Sequence, residues 1–91
     1  MTNRSILEVA VADVDDAILA EKCGADRLEL NAGMPLGGLT PSYGLVREVL
    51  AAVRIPVVVM VRPRPGGFCY SASQWKTALR DAEWILEAGA A

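Results

Sequence analysis

Apolar and polar positions alternate between two regimes along this chain. A short run with strand character is followed by a longer run with helical spacing, three times over. Ile6 to Ala12 (ILEVAVA) is apolar and β-branched, and it ends at Asp13, a good N-cap for a helix over Val14 to Cys23 with Asp16 three residues on. Gly24 stops that helix. Arg27 to Asn31 (RLELN) alternates strictly, and a glycine-containing loop, Ala32 to Leu39, leads to Thr40-Pro41, which predicts Thr40 as cap and Pro41 as the first helical residue. Leu45, Val46, Val49, Leu50 and Val53 are spaced as one helix face, and Pro56 to Val61 (PVVVMV) is the most strand-like segment of the sequence. After a loop over Arg62 to Tyr70, Ser71 and Gln74 form a capping-box pattern ahead of Trp75, Leu79, Ala82, Ile85 and Leu86, and Gly89 closes the third helix.

Strand and helix in strict succession predict a parallel α/β arrangement with the helices on one face. The expected architecture is three βα units of a TIM-type (β/α) barrel. A chain of 91 residues is well short of the roughly 250 that a closed barrel takes, so residues 1–91 are expected to be one incomplete barrel domain. Side-chain parity divides each strand between two faces. Leu7, Val9, Val11, Leu28, Leu30, Val57, Val59 and Val61 suit the helix side. The opposite set is Glu8, Ala10, Ala12, Arg27, Glu29, Asn31, Val58, Met60 and Arg62. It is either ordinary solvent exposure or the inward face of a barrel, where Glu8, Glu29 and Arg62 are expected to pair and build the floor of a ligand site. Three such strands leave both sheet edges and the inward face uncovered, so the segment is expected to be unstable alone, homo-oligomeric, or dependent on the rest of a barrel.

Composition narrows the partners. The chain is 53% hydrophobic but only 5% aromatic, as buried parallel strands and their covering helices require. A net charge of −2 without a basic run argues against nucleic acid or an anionic membrane as partner. Met1 to Arg4 is polar, and Glu8 and Asp13 interrupt the apolar run that follows, so no export signal or membrane span is expected and the location is taken as cytoplasmic. Cys23 and Cys69 lack metal or disulfide spacing; Cys23 is expected in the core and Cys69 half-buried in its loop. There is no histidine, which removes the commonest general base and metal ligand.

Two loops stand out because both follow strand ends, the functional edge of α/β barrels: GGLTPS at Gly37 to Ser42 and RPRPGGFCYS at Arg62 to Ser71. Each is a binding loop or an ordinary turn with caps. Arg62 and Arg64, separated by one proline, suit a carboxylate or phosphate, or Arg62 neutralises an inward glutamate. Arg27, Thr40, Ser42, Arg62 and Arg64 are the candidate binding residues for a small anionic ligand, and Glu8 and Glu29 are the candidate acid-base groups. No nucleophile and base, P-loop or metal-ligand cluster is recognisable, so no catalytic mechanism follows.

LEVAVAD, GADRLELNAG, GGLTPS and VMVRPRPGGFCYS together resemble the opening of CutC-type copper homeostasis proteins, over essentially the whole chain. The resemblance implies a TIM-type barrel, a cytoplasmic location and copper(I) binding. In many such proteins the first two strands read LEVC and ELC, and those cysteines are the candidate soft ligands for copper(I). Ala10 and Asn31 stand at the matching positions here, so that site does not carry over. Cys69 remains as a metal candidate, with Met34 and Met60 as possible thioether donors. The readings left open are a copper homeostasis protein, a barrel enzyme or binding protein for a small anionic metabolite, and an inactive barrel fragment.

Overall fold

The computed structural model describes residues 5–91; the polar start Met1 to Arg4 lies outside the described residues. Three strands, β1 (Glu8–Val11), β2 (Arg27–Leu30) and β3 (Val57–Val59), alternate with three helices, α1 (Val14–Lys22), α2 (Tyr43–Ala52) and α3 (Ala72–Glu87). The strands form one parallel sheet in the order β1-β2-β3, with Val9 opposite Leu28 and Leu30 opposite Val59. This is the βα repeat that the hydrophobic periods predict.

The expected parity holds. Leu28, Leu30 and Val57 are buried on the same side as Ala17 of α1 and Val46 and Val49 of α2, with Trp84 and Ala88 at the end of α3 packed against them. Each fully buried leucine or valine contributes about 1.5–3 kcal/mol, so this single aliphatic layer is the main source of stability. The opposite face carries Glu8, Ala10, Arg27 and Glu29, none of them buried.

Local signals set most helix starts. Asp13 accepts from Asp16 N at 2.7 Å to cap α1, and Gly24, at φ +100°, turns the chain after its end. Ser71 and Gln74 form both bonds of the expected capping box. The start of α2 corrects the sequence expectation: Ser42, not Thr40, is its cap, accepting from Leu45 N at 3.2 Å. Thr40 is diverted by the sheet. Its N–H donates to Arg62 O at 3.1 Å and its Oγ1 accepts from Arg62 N at 2.8 Å, so it stitches the loop after β2 to the end of β3.

Two further links fix how the units sit. Glu21 of α1 accepts from Arg54 N at 2.7 Å and Ile55 N at 3.2 Å, tying that helix to the turn before β3. Beyond α3 the chain returns to the sheet, where Ala91 N donates to Val57 O at 2.9 Å. Of the apolar stripe expected on α3, only part is covered: Ile85 is buried, while Trp75, Leu79 and Leu86 remain exposed. Among the described residues no helix is long and apolar enough to cross a membrane.

Candidate functional site

The expected inward polar residues divide into two groups at opposite ends of the strands. Glu8 and Arg27 are the first residues of β1 and β2 and lie opposite each other in the register. Arg27 Nε donates to Glu8 Oε1 at 2.7 Å, an exposed pair of the kind worth about 0–1 kcal/mol. At the other end, Glu29 lies near the close of β2 and Asn31 just beyond it. Asn31 is 1% exposed, and its Nδ2 donates to Glu29 Oε1 at 3.0 Å and to Glu29 O at 3.3 Å. The expected grouping of Glu8, Glu29 and Arg62 is therefore not what forms: Glu8 takes Arg27, Glu29 takes Asn31, and Arg62 turns to main-chain carbonyls.

Asn31 sits against the Gly37-Gly38 turn. Both glycines have positive φ, +89° and +91°, and a Cβ on Gly38 would lie 2.6 Å from Asn31 Oδ1. The GG of GGLTPS is thus required twice over, by backbone conformation and by the seat it leaves for the buried amide. An antiparallel bridge between Ala32 and Leu39 closes this small loop, whose tip is a 3-10 turn over Met34–Leu36.

Arg62 locks that turn to the next loop. Its Nη1 donates to Leu36 O at 3.1 Å and Gly38 O at 3.2 Å, its Nη2 to Gly66 O at 2.6 Å, and its guanidinium lies 4.9 Å from the Phe68 ring centre. Its Nε is buried and has no hydrogen-bond partner among the described residues. Arg64 repeats the device nearer the surface, donating to Pro65 O, Gly67 O and Cys69 O with its guanidinium 5.0 Å from the Tyr70 ring centre. The two arginines therefore shape the RPRPGGFCY loop from within instead of projecting together as a cationic fork. Thr40 and Ser42 serve the β3 end and the α2 cap, as described above.

Sequence reading missed the walls beside Arg62. A cleft of about 460 Å³ opens between the end of β3 and α3, lined by Met60, Val61, Ala78, Leu79 and Ala82, with Phe68, Tyr70 and Trp75 at its aromatic rim. Tyr70 and Trp75 meet edge to face at 5.3 Å. The signal was present in the spacing of R-P-R to F and Y, which sets one ring under each guanidinium.

The thiols sit apart. Both Cys23 and Cys69 are exposed, not packed as expected. Cys23 caps the end of α1, which has carried the chain back to the start of the sheet, whereas Cys69 belongs to the loop leaving β3. No group of three or more His, Cys, Asp or Glu side chains suited to a metal ion occurs among the described residues. Copper(I) favours two or more convergent soft donors, and a lone exposed thiol with Ala10 and Asn31 at the strand positions does not fit it.

A family model described as the CutC family matches residues 5–91. A family protein CutC of Treponema denticola is 46% identical over 84 residues, covering 92% of this chain and 34% of that protein. One from Pectobacterium atrosepticum is 49% identical over 83 residues, covering 91% and 33%. The crystal structure of CutC from Streptococcus agalactiae superposes with a TM-score of 0.84 at 31% identity, covering 94% of this chain and 43% of that one. The chain spans about a third of the length of the curated relatives it matches.

Proposed function

The chain belongs to the CutC family, and from that premise we propose that its three βα units form part of the wall of a barrel that binds a small anionic metabolite at the C-terminal ends of its strands. One observation carries the reading: Glu29, at the end of β2 and on the face away from the helices, has one carboxylate oxygen held by the buried Asn31 amide. Barrels of this class place their chemistry at that end of the strands, which favours Glu29 over Glu8, whose pair with Arg27 lies at the opposite end. A fixed carboxylate accepts well from a ligand hydroxyl and is the group placed to exchange a proton with it. Arg64, half-buried in the loop that leaves β3, keeps its positive charge while its donors hold loop carbonyls, and that charge draws the ligand's anion toward this end of the strands. Exposed, unpaired thiols favour a reducing compartment, and we place the protein in the cytoplasm.

Copper(I) is the second reading; the name given to the Streptococcus agalactiae relative, copper homeostasis protein CutC, favours it, and the exposed Cys69 thiol would be its single thiolate donor. An NMR titration of the chain separates the two. Malate or inorganic phosphate is expected to shift the backbone amides of Glu29, Asn31 and Arg64, and Glu29→Gln to weaken the malate response. A copper(I) response under reducing conditions that disappears in Cys69→Ser, with none to malate or phosphate, would replace the metabolite reading. Silence toward all three probes would leave the inactive-segment reading.

A further inference from the structure

The double glycine of the loop after β2 lies between two buried polar side chains. A Cβ added to Gly37 would fall 2.8 Å from Arg62 Nη1, and one added to Gly38 would fall 2.6 Å from Asn31 Oδ1. Arg62 is 9% exposed and Asn31 1%. The main chain of Arg62 is fixed by Thr40, whose Oγ1 accepts from Arg62 N at 2.8 Å and whose N–H donates to Arg62 O at 3.1 Å. Its guanidinium then reaches both loops, Leu36 O and Gly38 O through Nη1 and Gly66 O through Nη2. These acceptors are neutral carbonyls, so the group serves as a clamp on main chain and not as a counter-ion. A planar fork with several fixed donors can span two loops at once, as a single ammonium cannot.

The clamp bears on Glu29 through two contacts. Arg62 holds the Gly38 carbonyl, Gly38 lies against the Asn31 oxygen, and Asn31 Nδ2 donates to Glu29 Oε1 at 3.0 Å. The Asn31 main chain cannot give way either, because its N–H donates to Val11 O at 3.0 Å. For the amide to swing off Glu29 the Gly38 turn must lift, and the bonds from Arg62 oppose that. We propose that Arg62 is a positioning residue for the Glu29 carboxylate, acting through Gly38 and Asn31 and not on the ligand. The inference rests on the metabolite reading above and states what makes that site specific. The Asn31 bond takes up Oε1 and leaves Oε2 to meet the ligand hydroxyl, in an orientation set by a residue on the next strand.

The test follows the side-chain amide of Asn31 by NMR in the whole chain, with malate as the ligand probe. Glu29→Ala sets the resonance positions of an Asn31 amide without its carboxylate. Arg62→Met keeps an apolar stem and loses every guanidinium donor. It is expected to move the Asn31 resonances toward those positions and to weaken the malate response by about fivefold or more. Gly37→Ala keeps the arginine but puts a methyl group 2.8 Å from Nη1, and it is expected to move both signals in the same direction. Should Arg62→Met fail to fold, Gly37→Ala decides on the same two signals. Glu21→Ala removes an anchor at the opposite end of the sheet, and is expected to lower stability while leaving the Asn31 resonances and the malate response unchanged. Native Asn31 resonances in a folded Arg62→Met chain, or an equal displacement in Glu21→Ala, would overturn the proposal. If the native chain ignores malate while Arg62→Met still displaces the Asn31 resonances, the metabolite reading falls and Arg62 keeps its hold on Glu29.

Discussion

At the scale of single residues, the least replaceable position is Gly38. It meets two demands that usually fall on different residues, a φ of +91° and an approach of 2.6 Å between its absent Cβ and Asn31 Oδ1. Asn31 is fully buried and already spends its amide N–H on Glu29, so it has nowhere to retreat. Gly38→Ala is expected to lower stability by about 1–3 kcal/mol in urea unfolding and to release the Glu29 carboxylate from its partner. Gly44 supplies the contrast: it lies within α2, has nothing within 4 Å of its added Cβ, and as alanine is expected to raise stability by about 0.5–1 kcal/mol. A loss at both positions would show that the loop is not held by the Asn31 contact. The sequence marked the Gly-Gly pair as a turn or a binding loop but did not reveal the amide beneath it. Parity put Asn31 on the inward face, and only folding brings residues 31 and 38 together.

At the scale of elements, legibility depended on whether the deciding interaction was local. The α1 cap at Asp13 and the capping box at Ser71 and Gln74 are bonds between residues three apart, and both were read correctly. Thr40 was misread because its partner is Arg62, 22 residues away, and a sheet extension outcompetes a helix cap for the same hydroxyl. The arginine fork failed for the same reason: carbonyls of two loops, invisible to spacing rules, take up the guanidinium donors. Glu21 is another long-range anchor without a sequence signal. One of its oxygens accepts two backbone N–H groups from the turn before β3 and so ties α1 to that turn. Glu21→Ala leaves those donors to water or to nothing and is expected to cost about 1–3 kcal/mol, whereas Glu21→Gln, which keeps an acceptor oxygen, costs less than half as much. Equal losses in urea unfolding would mean that the charge, not the acceptor, matters.

At the scale of the whole molecule, the sheet and its helices enclose less than a folded chain of this mass usually does. A compact 9.7 kDa monomer exposes about 5,100 Å², and this one exposes 5910 Å². Its radius of gyration, 13.9 Å, likewise exceeds the about 12 Å expected for a compact domain of its length. Part of the exposed apolar surface lies on α3 and the loop before it, where Trp75, Leu79 and Leu86 are more than half exposed and Phe68 is 73% exposed. The helical period marks this stripe as apolar, but no period says what covers it. An open apolar cleft rimmed by aromatic rings is a site for a hydrophobic dye, as a sealed core is not. The native chain is expected to enhance the fluorescence of anilinonaphthalene sulfonate with saturable, single-site behaviour. Leu79→Glu, which puts a charge on the cleft wall at a surface position of α3, is expected to abolish the enhancement without changing the far-ultraviolet circular dichroism. Ile6→Glu, equally apolar in origin and exposed but ahead of β1 and not among the residues lining the cleft, is expected to leave it intact. Dye binding that responds to both substitutions alike would report general loosening of the fold, and the cleft would then lose its claim to be a defined surface.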